Sequence, residues 1–281
     1  MSQNTVDTTP PQLETLRVTL SDHIATVTLN RPDKANAMNW AMWQDIRSAM
    51  QWVDRTPEAR VAIIEGEGRL FTSGIDLSMM MGLQGQIKDD CDGRMREKLR
   101  QLILELQDTL TSIERCRKPV IAAIHGGCIG GGVDLISCTD MRYCSADAYF
   151  TIKEIDIGMV ADVGTLQRLP KLIGNQGIVR EMAYTGRRVE AAEAREIGLV
   201  NRVFDSREAL QAGVREVAAQ VAAKSPLSIR GTKEMLNYSR DHSVADGLNH
   251  IATWNAAMLM STDLTAAMMA GMAKQTPEFK D

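Results

Sequence analysis

The stretch "HGGCIGGGVD" at residues 125–134 constrains this chain more than any other. Five glycines fall between residues 126 and 132, directly after the apolar run "PVIAAI" at 119–124. Glycine loses more backbone freedom on folding than any other residue, so a cluster marks a close approach or backbone angles that a side chain forbids. A buried strand, a glycine turn and a helix make a common phosphate-binding frame, but the spacing does not fit. Cys128 and Ile129 stand where Gly-x-Gly-x-x-Gly needs glycine, and no Gly-x-x-x-x-Gly-Lys-Ser/Thr occurs. Two readings remain: a tight packing turn, or a helix N-terminus whose free N–H groups hold a developing oxyanion.

A second glycine turn, "FTSGIDL" at 71–77, also follows a strand-like run, "VAIIEG". Two such turns can each aim one N–H at a single carbonyl oxygen. Three acids with apolar neighbours lie nearby in sequence: Asp134, Glu154 and Asp162. Buried carboxyls acquire raised pKa values and neighbouring ones push each other's apart, so one can take a proton while another gives one. His125 with Ser73 or Ser137 offers a hydrolase dyad, but no Gly-x-Ser-x-Gly elbow is present, and a packed histidine is the simpler reading.

The rest of the chain sets the frame. Residues 17–30 read as a hairpin, and a helix begins behind Asn39. Residues 78–93 read as a mobile loop or short helix and 94–116 as a long amphipathic helix. β/α units are expected over about 17–160, then helix after helix, including one over 206–224 capped by Ser206. Of the 281 residues 44% are apolar, enough for a sizeable core. A net charge of −4 with no basic run gives no sign of a nucleic-acid partner, and no apolar run reaches membrane-spanning length. Five cysteines without zinc spacing, a polar segment 1–16 and an ending "PEFKD" that is no peroxisomal tripeptide make a reducing cytoplasm the expected location.

"LNRPDKANAMN", "FTSGIDL", "KPVIAAIHGGCIGGGVDL", "DMRYC" and "GTLQRLP", in this order, resemble the crotonase, or enoyl-CoA hydratase/isomerase, superfamily. The resemblance runs from about Leu16 to residue 272. Within the superfamily, "IERCRKPVIAAIHGGCIGGGVDL", "KEIDIGMVADVGTLQRLPKLIGNQ" and "YSRDHSVADGLNHIATWN" are similar to the enzymes that isomerise 3,5-dienoyl-CoA to 2,4-dienoyl-CoA. It implies an α/β fold: a spiral of β-β-α units with a C-terminal helical region that builds trimers, often paired into hexamers. The expected bounds are a disordered or loosely ordered N-terminus at 1–15, a spiral core with the active site at 16–205 and a C-terminal helical region at 206–281.

The resemblance also implies roles. The Ile75 and Gly131 N–H groups would form the oxyanion hole for an acyl-CoA thioester, and Ser73, Gly74, Ile75, Asp76, Leu77 and Gly131 would bind the substrate. Glu154 and Asp162 would be catalytic, with Asp134 supporting them. Hydratases of the superfamily typically have Glu at the position of Asp134 and Gly at that of Asp162, so this acid set favours the isomerase over a 2-enoyl-CoA hydratase. A non-catalytic acyl-CoA-binding protein is the reading of another class. No metal or separate cofactor is expected, since coenzyme A belongs to the substrate. Lys34 could face its phosphates, though a solvated loop lysine is the plainer reading.

Overall fold

The computed structural model describes residues 8–281; residues 1–7, the first part of the N-terminus expected at 1–15, lie outside the described residues. Strands β1 (Leu16–Ser21) and β2 (Ile24–Leu29) form the expected antiparallel hairpin, with Leu16 opposite Leu29. Just before it, the Thr15 N–H and hydroxyl both donate to Asp45 Oδ2, at 2.8 and 2.7 Å. Helix α1 (Trp40–Arg55) starts behind Asn39, whose side chain accepts from the Met42 N–H at 3.0 Å. Then come β3 (Val61–Gly66), α2 (Leu77–Ile87), α3 (Asp92–Arg115) and β4 (Val120–Ile124). The segment expected as a loop or short helix is thus an eleven-residue helix, capped by the Asp76 side chain on Ser78 N–H.

The glycine run contains a strand that the sequence reading missed, β5 (Gly127–Ile129), before α4 (Gly131–Ser137). Strands β6 (Met141–Ser145) and β7 (Tyr149–Thr151) follow, then α5 (Thr165–Leu172) and α6 (Gln176–Thr185). Two more short strands, β8 (Val189–Glu190) and β9 (Arg202–Phe204), flank α7 (Ala191–Glu196). The expectation of helices alone after residue 162 therefore fails. Each of these strands has only two or three residues, too few to show an alternation. The chain ends with α8 (Arg207–Ala222), α9 (Pro226–Asp241), α10 (Val244–Met258) and α11 (Thr262–Ala273).

The expected spiral of β-β-α units is present as two sheets. One has the order β1-β2-β3-β4-β6-β9, parallel beyond the hairpin; the other is β5-β7-β8. The central strands are buried on both faces, which is why they read as unbroken apolar runs. Ile63 and Ile121 pack with Leu210, Val214 and Ala218 of α8. Ile64, Ala122 and Ile124 instead join the larger core with α1 and α3. Among the described residues all five cysteines are free thiols, and no single helix is long and apolar enough to cross a membrane. Helices α10 and α11 bury none of their residues and expose Leu248, Met268, Met269 and Met272.

Candidate active site

The two glycine turns are stitched together by backbone hydrogen bonds. Thr72 N–H donates to Gly127 O at 3.1 Å, and Ile129 N–H donates to Thr72 O at 3.2 Å. One step further, Met38 N–H donates to Gly74 O at 2.8 Å and Asp76 N–H donates to Met38 O at 3.0 Å. In this parallel bridge between Met38 and Ile75 the bonds use residues 74 and 76, so the Ile75 N–H points away from Met38. Gly130 N–H is held by Thr151 O at 2.9 Å, and Gly131 opens α4, where the first N–H has no intrahelical acceptor.

Glycine is required at two of these positions. Gly74 has φ +87°, and a Cβ there would stand 2.5 Å from Ile129 O and 3.4 Å from Gly131 N. Gly130 has φ +52°, and a Cβ there would stand 3.2 Å from Glu154 Oε1. A methyl on Gly131 would lie 3.9 Å from Ile75 N. The free N–H groups of both turns and the Glu154 carboxylate therefore crowd one small volume. Sheet register explains this: Ile129 pairs with Thr151, so Gly131 and Glu154 lie two and three residues beyond the same rung.

Glu154 begins a short 3₁₀ turn, Glu154–Ile157. Burial pushes its carboxyl up to about 7, with the neighbouring Asp134 adding to the rise. Asp134 is fully buried on α4, and burial raises it to about 6. Its Oδ1 accepts from Thr165 N–H at 2.6 Å, which ties α4 to the start of α5. Asp134 Oδ2 and Glu154 Oε2 are both sealed from solvent without a hydrogen-bond donor. Two such oxygens side by side can share one proton but cannot both remain charged at low cost. Asp162 is half-buried, and burial raises its carboxyl too. Gln107 of α3 holds the Asp162 backbone, donating from Nε2 to its carbonyl oxygen at 2.6 Å.

Ile75, Gly131, Glu154 and Asp162 all line one cavity of about 320 Å³. Most of its remaining wall is apolar. Leu99, Leu102, Ile103 and Leu106 of α3 line it at helical spacing, facing Met79, Met80 and Leu83 of α2 and Trp40 and Trp43 of α1. No sequence reading assigned this wall. Its signals were the Met cluster at 79–81 and an α3 apolar stripe that an ordinary core would also explain.

The other candidate residues lie elsewhere. Asp134 does not border the cavity; it sits behind Glu154. Ser73 N–H donates to Ala35 O, Asp76 caps α2 and pairs with Arg31 at 3.0 Å, and Leu77 is 62% exposed. Of the six residues expected to bind substrate, Ile75 and Gly131 line the cavity, and Gly74 sets the approach between them. The hydrolase dyad does not form: His125 Nε2 lies 2.9 Å from Gly68 O, and the Ser137 hydroxyl donates to Asp134 O. Lys34 is exposed at the end of a short 3₁₀ turn, Pro32–Lys34.

Comparison with known proteins agrees with this architecture. Residues 19–281 match the family described as enoyl-CoA hydratase/isomerase. The mitochondrial Delta(3,5)-Delta(2,4)-dienoyl-CoA isomerase of Mus musculus is 48% identical over 263 residues, covering 93% of this chain and 80% of its own length. The peroxisomal Delta(3,5)-Delta(2,4)-dienoyl-CoA isomerase of Arabidopsis thaliana is 46% identical over 268 residues, covering 95% and 96%. The crystal structure of an enoyl-CoA hydratase from Bacillus anthracis superposes with a TM-score of 0.86 at 28% identity, covering 95% and 99%. These names correct the expected cytoplasmic location, since the relatives are mitochondrial or peroxisomal. Free thiols alone do not choose among compartments. By fold, by coverage and by identity, the chain belongs to the enoyl-CoA hydratase/isomerase, or crotonase, family.

Proposed function

We propose that this chain isomerises 3,5-dienoyl-CoA to 2,4-dienoyl-CoA, in fatty-acid β-oxidation. The observation that carries the reading is the placement of two separate acids, Glu154 and Asp162, on one apolar cavity beside two unengaged N–H groups. The Ile75 and Gly131 N–H groups bind the thioester oxygen and stabilise the charge that develops on it. Glu154 removes a proton from C2, and the electron pair forms the C2–C3 double bond. The C3–C4 pair moves to C4–C5, and the C5–C6 pair takes a proton at C6 from Asp162. C2 and C6 are too far apart for one carboxyl to serve both. The apolar wall of α2 and α3 accommodates the remaining acyl chain.

Asp134 acts on Glu154 rather than on the substrate, raising its basicity through an adjacent buried charge. The proton transfers need only these side chains, and coenzyme A enters as part of the substrate. The unpartnered apolar surface of α10 and α11 supports assembly into trimers or hexamers. The test is turnover of a 3,5-dienoyl-CoA, followed by absorbance of the newly conjugated 2,4-dienoyl thioester, beside hydration of crotonyl-CoA. Isomerisation that far outpaces hydration is expected and Asp162→Asn should abolish it. Faster hydration would instead assign a 2-enoyl-CoA hydratase, and binding without either turnover would leave a non-catalytic acyl-CoA-binding protein.

A further inference from the structure

Isomerisation moves no net proton, yet each turnover leaves Glu154 with a proton gained and Asp162 with a proton lost. The enzyme must reset before the next substrate, and the two acids have very different surroundings. Glu154 Oε2 and Asp134 Oδ2 are sealed and lack donors. Asp162, by contrast, borders two spaces at once. One is the apolar cavity; the other is a polar pocket of about 480 Å³, which Gln107, Thr111 and Arg168 also line. Exposed Gln167, Lys171, Arg240 and Asp241 form the rim of this pocket, so it reaches the surface. Its inner wall is fixed by a chain of bonds. Gln107 donates to Asp162 O, the Thr111 hydroxyl donates to Gln107 O at 2.7 Å, and Arg168 donates to the Thr111 hydroxyl at 3.1 Å. Arg168 is held in turn by Glu114 at 2.6 Å. Such a space has the room and the polar partners that bridging water needs.

We propose that Asp162 recovers its proton from solvent through this polar pocket, with Gln107 as the positioning residue that fixes the acid across the two spaces. The proposal rests on the isomerase reading above. In the reset the Asp162 carboxylate takes a proton from a water or hydronium in the pocket, and Glu154 releases the C2-derived proton to solvent when product leaves. One proton enters, one leaves, and nothing is oxidised or reduced. The hydrogen delivered to C6 therefore comes from solvent and never from C2 of the same or an earlier substrate.

The test uses the whole chain and a 3,5-dienoyl-CoA carrying two deuteriums at C2, turned over many times in ordinary water. The product is analysed by NMR and mass spectrometry for label at C6. No deuterium at C6 is expected, with one deuterium retained at C2. Deuterium transferred to C6 would overturn the route while leaving the isomerase assignment intact. Failure to form any 2,4-diene would overturn that assignment and the route with it. A second arm uses Gln107→Leu, with Gln167→Leu as a milder change at the rim should the first not fold. Proton delivery should then limit the rate, with kcat lowered about tenfold or more at low buffer, KM little changed, and the rate restored by added formate buffer. A loss of kcat that formate does not relieve would mark Gln107 as structural only and overturn its assigned role.

Discussion

The sharpest prediction concerns the stability of a variant that should have lost its chemistry. Glu154 is held at about 7 against an ordinary value of 4.5, chiefly by burial. Each pH unit of such a difference corresponds to about 1.4 kcal/mol between folded and unfolded chains. Below pH 4.5 the residue is protonated in both states and costs nothing. Between 4.5 and about 7 the unfolded chain releases the proton while the folded chain keeps it, so stability falls as pH rises. Above 7 the penalty is complete, about 3 kcal/mol.

Glu154→Gln removes that titration and gives Asp134 Oδ2, which has no donor, an amide N–H to accept. The variant should lose isomerase activity by about 10²–10⁴-fold. It should also resist urea at pH 8 by about 3 kcal/mol more than the parent, and match it near pH 4.5. Paired denaturation curves at the two pH values and equal protein concentration are the assay. Equal or lower stability of the variant at pH 8 would refute the reasoning, because the buried anion would then carry no cost.

Asp134→Asn keeps an oxygen for the Thr165 N–H but removes the charge that raises Glu154. The rising limb of the kcat/KM–pH profile, expected near 7 in the parent, should move to lower pH; a limb that stays in place would disconnect the two acids. Gly131→Ala adds a methyl 3.9 Å from Ile75 N, in the space proposed for the thioester oxygen, and 2.7 Å from the flexible end of Met38. Turnover should fall about 10²–10³-fold, the effect of losing one oxyanion donor, with little change in thermal midpoint. An unfolded product or unimpaired turnover would count against that placement.

Local signals carried much of the fold. The hairpin, the Asn39 cap and the long α3 helix are legible because alternation, capping and helical spacing are properties of neighbouring residues. Strand β5 is not, because "GCI" offers three residues and no alternation; it exists through its pairing with β7. The site divides in the same way. Gly131 and Ile75 stand out through their glycine-rich turns, and their meeting comes from bridges between residues far apart in sequence. The α3 stripe at Leu99, Leu102, Ile103 and Leu106 announces that the helix packs, without saying that it packs on a cavity. That Asp134 stands behind Glu154 follows from sheet register and the start of α5, which no local pattern encodes.

Gly131 and Glu154 lie just past the ends of the paired strands β5 and β7, beside one hydrogen bond, Gly130 N–H to Thr151 O. Thermal breathing of that small sheet carries both along as a rigid gauge, so their separation survives motion that would misalign parts mounted independently. Asp162 hangs instead on the irregular connection at 158–164, further along the chain from the paired strands. Under the proposed roles, rebuilding that connection would change where along the acyl chain a proton is delivered without disturbing the gauge that takes the first one away.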